Sequence, residues 1–231
     1  MSAEASKTRR IRGPGFEATY LQGRVIDIGC GPDPVVPHAE PFDMAHGDAQ
    51  VIASLRPHGH YDAVCSSHCL EHMRDVPAAL AQWWLLVREG GYLVLVVPDE
   101  DLYEQGGWPS LFNPDHKATF RMNSPTTWSP VSYDIAQLVR SLPGAELVSC
   151  ERHDAGYDHA LQLRSISPLQ RQLFALSQFC HVRLRRWGIS PGHPLARGCR
   201  WLFRCLNTPV DQTDGAALAQ IQVVVRRGLR P

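Results

Sequence analysis

The sequence predicts an α/β protein: an open, mostly parallel sheet with helices on both faces, a shortened second strand–helix repeat, and a helical insertion before the last strand. Three observations carry this. VIDIGCGPDP at 25–34 is an apolar strand that breaks at Gly29-Cys30-Gly31 into a tight glycine turn. YLVLVVPD at 92–99 is an unbroken apolar run, the pattern of a central strand buried on both faces. Around these, strand-like and helix-like segments alternate, as a parallel sheet with crossover helices requires.

The elements follow in order along the chain. Residues 1–20 begin MSAEASKTRRIRGPG, polar and basic with no apolar stretch, and read as a flexible lead-in rather than a secretory signal. Residues 21–231 form a single domain. Arg24–Ile28 is the first strand. Prolines 32, 34, 37 and 41 oppose a long helix directly after the glycine turn. FDMAHGDAQ (42–50) is a short strand and loop, and VIASL (51–55) one helical turn. In YDAVCSSHCLEHM (61–73) a strand at Ala63–Cys65 runs into a loop and a helix start. Pro77–Val87 has apolar residues at helical spacing and ends at Glu89-Gly90-Gly91. Residues 100–130 hold many turn-formers and aromatics and form a long functional loop. Val131–Leu142 is a helix closed by Pro143-Gly144, and Ala145–Glu151 a strand. Residues 165–207 are helical and basic, and Ala219–Arg226 is the last strand.

Composition narrows the class. The chain has 231 residues with 44% apolar, enough for one domain with a substantial core. Its net charge is zero, so no global field favours nucleic acid. No apolar run is long enough to span a bilayer. The seven cysteines are an odd number without a C-x-x-C pair, which argues against a disulfide framework or a zinc knuckle and for a reducing, cytoplasmic compartment.

The turn specifies the ligand. A dinucleotide site needs a third glycine, and the chain has Pro34 there; a phosphate-binding P-loop needs Gly-Lys-Ser/Thr, which is missing. Asp27 stands two residues before Gly29, where a carboxylate can hold the turn and attract a cationic ligand. This D-I-G-C-G string resembles the first motif, D-x-G-x-G, of the class I S-adenosylmethionine (SAM)-dependent methyltransferases. SAM carries a sulfonium, an ammonium and a ribose diol, and no pyrophosphate. EGGYLVLVVPD resembles the family's fifth strand after its Gly-Gly turn, and SSHCLEHM the loop after its fourth. The likeness covers about residues 22–151 and the final strand, and implies a Rossmann-like fold. Gly31 and Gly47 stand too close for the family's usual strand, helix and strand between them, so the second repeat is shortened.

The resemblance implies a cofactor set of Asp27, Gly29, Cys30 and Gly31 at the turn, Asp43 at the ribose, Asp48 and Ala49 at the adenine, and Ser66, Ser67 and His68 beside the methionine part. Substrate belongs outside the carboxyl ends of the strands, on the loop after residue 98. Its candidates are Glu100, Tyr103, Trp108, Asn113 and Lys117. Methyl transfer is an in-line displacement for which the enzyme aligns the nucleophile and removes its proton. His116, between Asp115 and Lys117, is the candidate base because imidazole suits proton transfer near neutral pH; Asp99 is the second candidate. His68 and His72, four apart, would share a helical face, but a full H-E-x-x-H is absent and no metal is expected. His72 reads instead as a residue oriented near the cofactor.

Residues 160–210 contain eight arginines and no Asp or Glu, interleaved with Leu, Phe and Trp. Such a segment suits peripheral contact with an anionic membrane face, an anionic substrate, or a second subunit in a homodimer. The run VVPDEDLYEQGGWPSLFNPDHKATF resembles bacterial methyltransferases associated with glycan and cell-surface polysaccharide assembly. That implies O-methylation of a sugar or glycan acceptor. The alternatives are N- or O-methylation of a small natural product, or a SAM-binding scaffold without chemistry.

Overall fold

The computed structural model describes residues 4–190 and 192–229. Its main sheet has six strands in the order β2 (Glu40–Phe42), β1 (Val25–Ile28), β3 (Tyr61–Ser67), β4 (Val87–Pro98), β8 (Gln220–Arg227) and β7 (Ala145–His153). The first four are mutually parallel; β8 runs antiparallel to both neighbours. A small parallel pair, β5 (Thr119–Arg121) and β6 (Ser132–Asp134), lies in the long loop.

Alternate residues of the central strands feed two cores. Ile26, Ile28, Val64, Leu93 and Leu95 face α3 (Val76–Leu86) and α4 (Ile135–Arg140), whose Leu80, Trp83, Ile135 and Val139 complete the larger cluster. Val25, Ala63, Cys65 and Val94 face the other way, under Leu21, Val35 and Val36, with Phe16 and Tyr20 of α2 (Phe16–Tyr20) alongside. The residues of β4 from Leu93 to Val97 are all buried, which is why this strand reads as a continuous apolar run.

Two expectations are corrected. The lead-in is helical from residue 4: α1 (Glu4–Ile11) lies against the sheet ends with Ala5 and Thr8 buried. Gln220 donates to Thr8 Oγ1 at 2.8 Å, and Arg12 to Gln222 Oε1 at 2.8 Å. A polar helix fastened by side-chain hydrogen bonds leaves no apolar periodicity to detect. The long loop also carries regular structure of its own, a single π-helical turn at Glu100–Glu104 and the β5–β6 pair. As expected, β1 and β2 are joined without a helix.

The insertion forms two helices, α5 (Pro168–Arg186) and α6 (Pro194–Cys205), packed together. Ser167 and His193 cap their N-termini, each followed by proline at the first turn. Among the described residues, no helix is long and apolar enough to cross a membrane.

Candidate active site

The site begins at the carboxyl ends of β1 and β3. Gly29 and Gly31 have φ of +78° and +52°, in the left-handed region that glycine enters at little cost. A Cβ on Gly29 would lie 2.6 Å from Cys69 Cβ and Sγ, so that glycine permits close packing. A Cβ on Gly31 would meet nothing within 4 Å; its open side faces ligand space. Asp43, at the end of β2, braces the turn by accepting from the Gly31 amide at 3.1 Å.

A cavity of about 250 Å³ opens here, lined by Asp27, Gly29, Gly31, Ser67 and His68, with Glu4 and Ala5 of α1 on the far side. Two buried polar atoms of its lining residues, Asp27 Oδ1 and Ser67 Oγ, have no hydrogen-bond partner among the described residues. Asp27 Oδ2 accepts from the Val35 amide at 2.7 Å. Burial pushes the Asp27 carboxyl up to about 6, against the opposing pull of that amide and of Arg12. A buried acceptor with a spare oxygen suits an ammonium group, and the glycine turn suits close backbone approach. This donor set fits SAM.

The expected cofactor residues divide. Asp27, Gly29, Cys30, Gly31, Ser67 and His68 line the cavity, and Asp43 adjoins it. Ser66 does not present its hydroxyl there; its Oγ donates to the Ile28 carbonyl at 3.0 Å and ties β3 to β1. Asp48 is exposed, with Oδ1 capping Gln50 and Oδ2 paired with Arg74 at 2.6 Å, which holds its carboxyl below the usual range. Ala49 is half-buried, and its carbonyl receives the Trp83 indole N–H at 2.9 Å.

Beside the cavity, a second group of side chains gathers around Glu71. This carboxylate is fully buried, and among the described residues neither oxygen has a hydrogen-bond partner of normal length. Three imidazoles face its Oε1: His68 Nδ1 at 3.5 Å, His116 Nε2 at 3.9 Å and His72 Nε2 at 4.0 Å. Burial pushes Glu71 up, but the imidazoles, His68 foremost, hold it below its ordinary value. The His68 ring is desolvated, yet Glu71 raises it above the usual range. Glu104, also buried, accepts from His116 Nδ1 at 2.7 Å. That bond leaves His116 Nε2 as the ring's acceptor atom. Tyr103 lies over the His116 ring at a centroid distance of 5.1 Å. The His116 segment is strapped to its partner, since Lys117 and Ala118 both donate to the Glu71 carbonyl.

Several expected roles are corrected. His68 and His72 do not share a helical face: His68 has φ +53° and the helical turn spans only Leu70–His72. Asp99 is a structural cap, accepting from the Asp101 and Leu102 amides and pairing with Arg152 at 2.7 Å. Glu100 Oε2 receives the hydroxyls of Thr119, Thr127 and Ser132, so it anchors the loop. Asn113 shapes the turn before His116 through its bond from the Asp115 amide. Lys117 is paired with Asp115 at 3.1 Å. Trp108 turns its carbonyl to Arg171 of α5 at 2.9 Å. Of the expected acceptor residues, Tyr103 packs its ring against His116, and Asn113 accepts from the His116 amide at 3.1 Å through its carbonyl. Glu71 and Glu104 were not among the expected site residues: His68 and His72 are sequence neighbours of Glu71, but His116, which meets both carboxylates, reaches them only through the fold.

A strand-end glycine turn, an orphaned carboxylate oxygen and an imidazole cluster occupy one end of the sheet. Residues 7–128, more than half of the chain, match the model of a family described as "Methyltransferase domain". The chain belongs to that family. It is a SAM-dependent methyltransferase, with SAM as its methyl donor. Among solved structures, a SAM-dependent methyltransferase from Archaeoglobus fulgidus is similar at 15% identity, over 97% of this chain and 94% of that one, with a TM-score of 0.48. The 1,6-didemethyltoxoflavin-N1-methyltransferase of Burkholderia thailandensis is similar at 11% identity, over 98% of this chain and 79% of that one, with a TM-score of 0.46. A comparison with curated proteins finds no match.

Proposed function

We propose that this methyltransferase O-methylates a sugar or glycan hydroxyl, with His116 taking the hydroxyl proton. The observation that carries the reading is the buried Glu104–His116 pair at 2.7 Å. Glu104 fixes the ring tautomer and stabilises the imidazolium that forms, leaving Nε2, 3.9 Å from Glu71 Oε1, to take the proton. SAM supplies a methyl group already activated on a sulfonium. Asp27 and Ser67 hold the polar methionine end, the glycine turn admits it against the backbone, and Asp43 stands at the ribose end of the turn. His72, with Nδ1 held 2.9 Å from Asp115, is the second imidazole of the acceptor side.

The α5–α6 hairpin supports a membrane-linked acceptor such as a lipid-carried sugar. It exposes Trp187, Trp201, Phe179 and Leu202 among its arginines. A chain of rings leads from it to the site: Phe174 to Phe112 at 5.5 Å, Phe112 to Tyr103 at 5.9 Å, then His116.

The test is methyl transfer from SAM to nucleotide-linked and lipid-linked sugars. His116→Ala should lose about 100-fold or more in kcat, the usual contribution of a positioned base, with SAM affinity unchanged. Glu104→Gln should lose less. Undiminished turnover in His116→Ala removes the base, and inactivity of the wild type on every sugar tested removes the acceptor class.

A further inference from the structure

We propose that Glu71, His72 and His116 form a site for a divalent first-row transition cation of the zinc class. One ligand atom of each lies within 4.8 Å of the others; His116 Nε2 and His72 Nε2 stand 3.9 and 4.0 Å from Glu71 Oε1. The donor set of two imidazoles and one carboxylate is that of a three-ligand zinc site with an open position.

The surrounding bonds prepare these atoms for a cation. Each imidazole has its other nitrogen beside a carboxylate: His116 Nδ1 with Glu104 at 2.7 Å, His72 Nδ1 with Asp115 at 2.9 Å. Carboxylates placed there orient an imidazole and raise its basicity as a ligand. Both Nε2 atoms are thereby turned to the same Glu71 oxygen.

Glu71 supplies the independent observation. It is completely buried, and among the described residues neither of its oxygens accepts a hydrogen bond of normal length, the nearest group being His68 Nδ1 at 3.5 Å. Glu104 Oε2 is likewise buried with no hydrogen-bond partner among the described residues. Orphaned buried carboxylate oxygens are costly unless something positive reaches them. The imidazoles at 3.5–4.0 Å are too far to donate well. A cation at the centre would relieve this.

The fit requires modest closure. Ligand atoms about 2.1 Å from a tetrahedral ion stand about 3.4 Å apart. The Glu71–His116 and Glu71–His72 separations of 3.9 and 4.0 Å must shrink by about half an ångström, and the His72–His116 separation, within 4.8 Å, by up to about 1.4 Å. Two of the three ligands already sit on strapped segments, since Lys117 donates to the Glu71 carbonyl at 2.8 Å.

The inference rests on reading this cluster as the acceptor side, and it revises one detail. A ring nitrogen on a cation is not a free base, so with the cation bound His116 would serve as a ligand.

Binding decides the question without turnover. The tag-free full chain is stripped with a chelator, dialysed and titrated with Co²⁺, then challenged with Zn²⁺. We expect one equivalent of Co²⁺ with a visible band, displaced by Zn²⁺. Glu71→Gln should weaken binding at least tenfold, and His72→Asn likewise, while the exposed His159→Ala should bind as wild type. Circular dichroism checks that each variant is folded; His72 is partly exposed, so its variant stands should Glu71→Gln fail. The absence of saturable binding, or full binding by His72→Asn, overturns the site. Neither result touches O-methylation, which the transfer assay decides separately. Sugar methylation by a chain that binds no metal leaves His116 as the base.

Discussion

Asp27 shows how one residue is set between stability and ligand binding. It is 1% exposed and its carboxyl sits at about 6, against an ordinary 3.8. Because the folded value is raised, the folded chain binds the proton more tightly than the unfolded chain does. Stability from this group is therefore full below about pH 4 and lost as pH rises through about 6. The shift corresponds to about 3 kcal/mol above pH 6. Asp27→Asn keeps an acceptor for the Val35 amide but removes the charge. The variant should be more stable than wild type at pH 7–8, with the gap closing towards pH 4, and should bind SAM about tenfold more weakly or worse. Chemical denaturation across pH together with calorimetry measures both. A variant that is less stable at pH 8 would contradict the burial argument. Asp27 was legible in the sequence because strand, acid and glycines are contiguous. Glu104 was not, because it meets His116 across twelve residues of loop, a contact created only by the fold.

At the scale of elements, the loop after β4 is organised by carboxylates rather than by apolar packing alone. Asp99 caps the π-helical turn, and Glu100, on its first residue, gathers hydroxyls from Thr119, Thr127 and Ser132. That places β5 and β6 against the turn that carries Tyr103 and Glu104. In the sequence Asp99 read as a base and Glu100 as a substrate contact because carboxylates in a polar loop carry no sign of their partners. The missing second helix was legible for the opposite reason: prolines 32, 34 and 37 act locally, through their fixed φ and absent N–H. Glu100→Ala should cost about 3 kcal/mol, since it leaves hydroxyls and a buried space without their charged partner. The urea midpoint should fall while SAM affinity, set at β1, stays near wild type. An unchanged midpoint would show that the loop is held by something other than this carboxylate.

Across the whole molecule, the sheet separates two surfaces. Helices α3 and α4 seal one face into the main core, and α1 with α2 closes the other beside the cofactor cavity. The α5–α6 hairpin stands apart from this order. Of its long α5, only Ser177 is buried, while Trp187 is 71% and Trp201 68% exposed. Exposed tryptophans beside Arg183, Arg185 and Arg186, without acids from 160 to 210, match an anionic surface with an apolar interior. Each arginine near such a surface contributes about 1 kcal/mol, and salt weakens the effect within a Debye length of about 10 Å at 0.1 M. The wild type should co-sediment with phosphatidylglycerol vesicles, less so in high salt, and weakly with phosphatidylcholine. The double variant Arg183→Glu, Arg186→Glu should lose at least tenfold in vesicle binding, and Trp187→Ser a smaller factor, both with normal SAM affinity. A concentration-dependent dimer in sedimentation, with no vesicle binding, would assign the hairpin face to a second copy of the chain and remove the membrane. Salt-insensitive vesicle binding would assign the contact to the tryptophans and leave the arginines without that role.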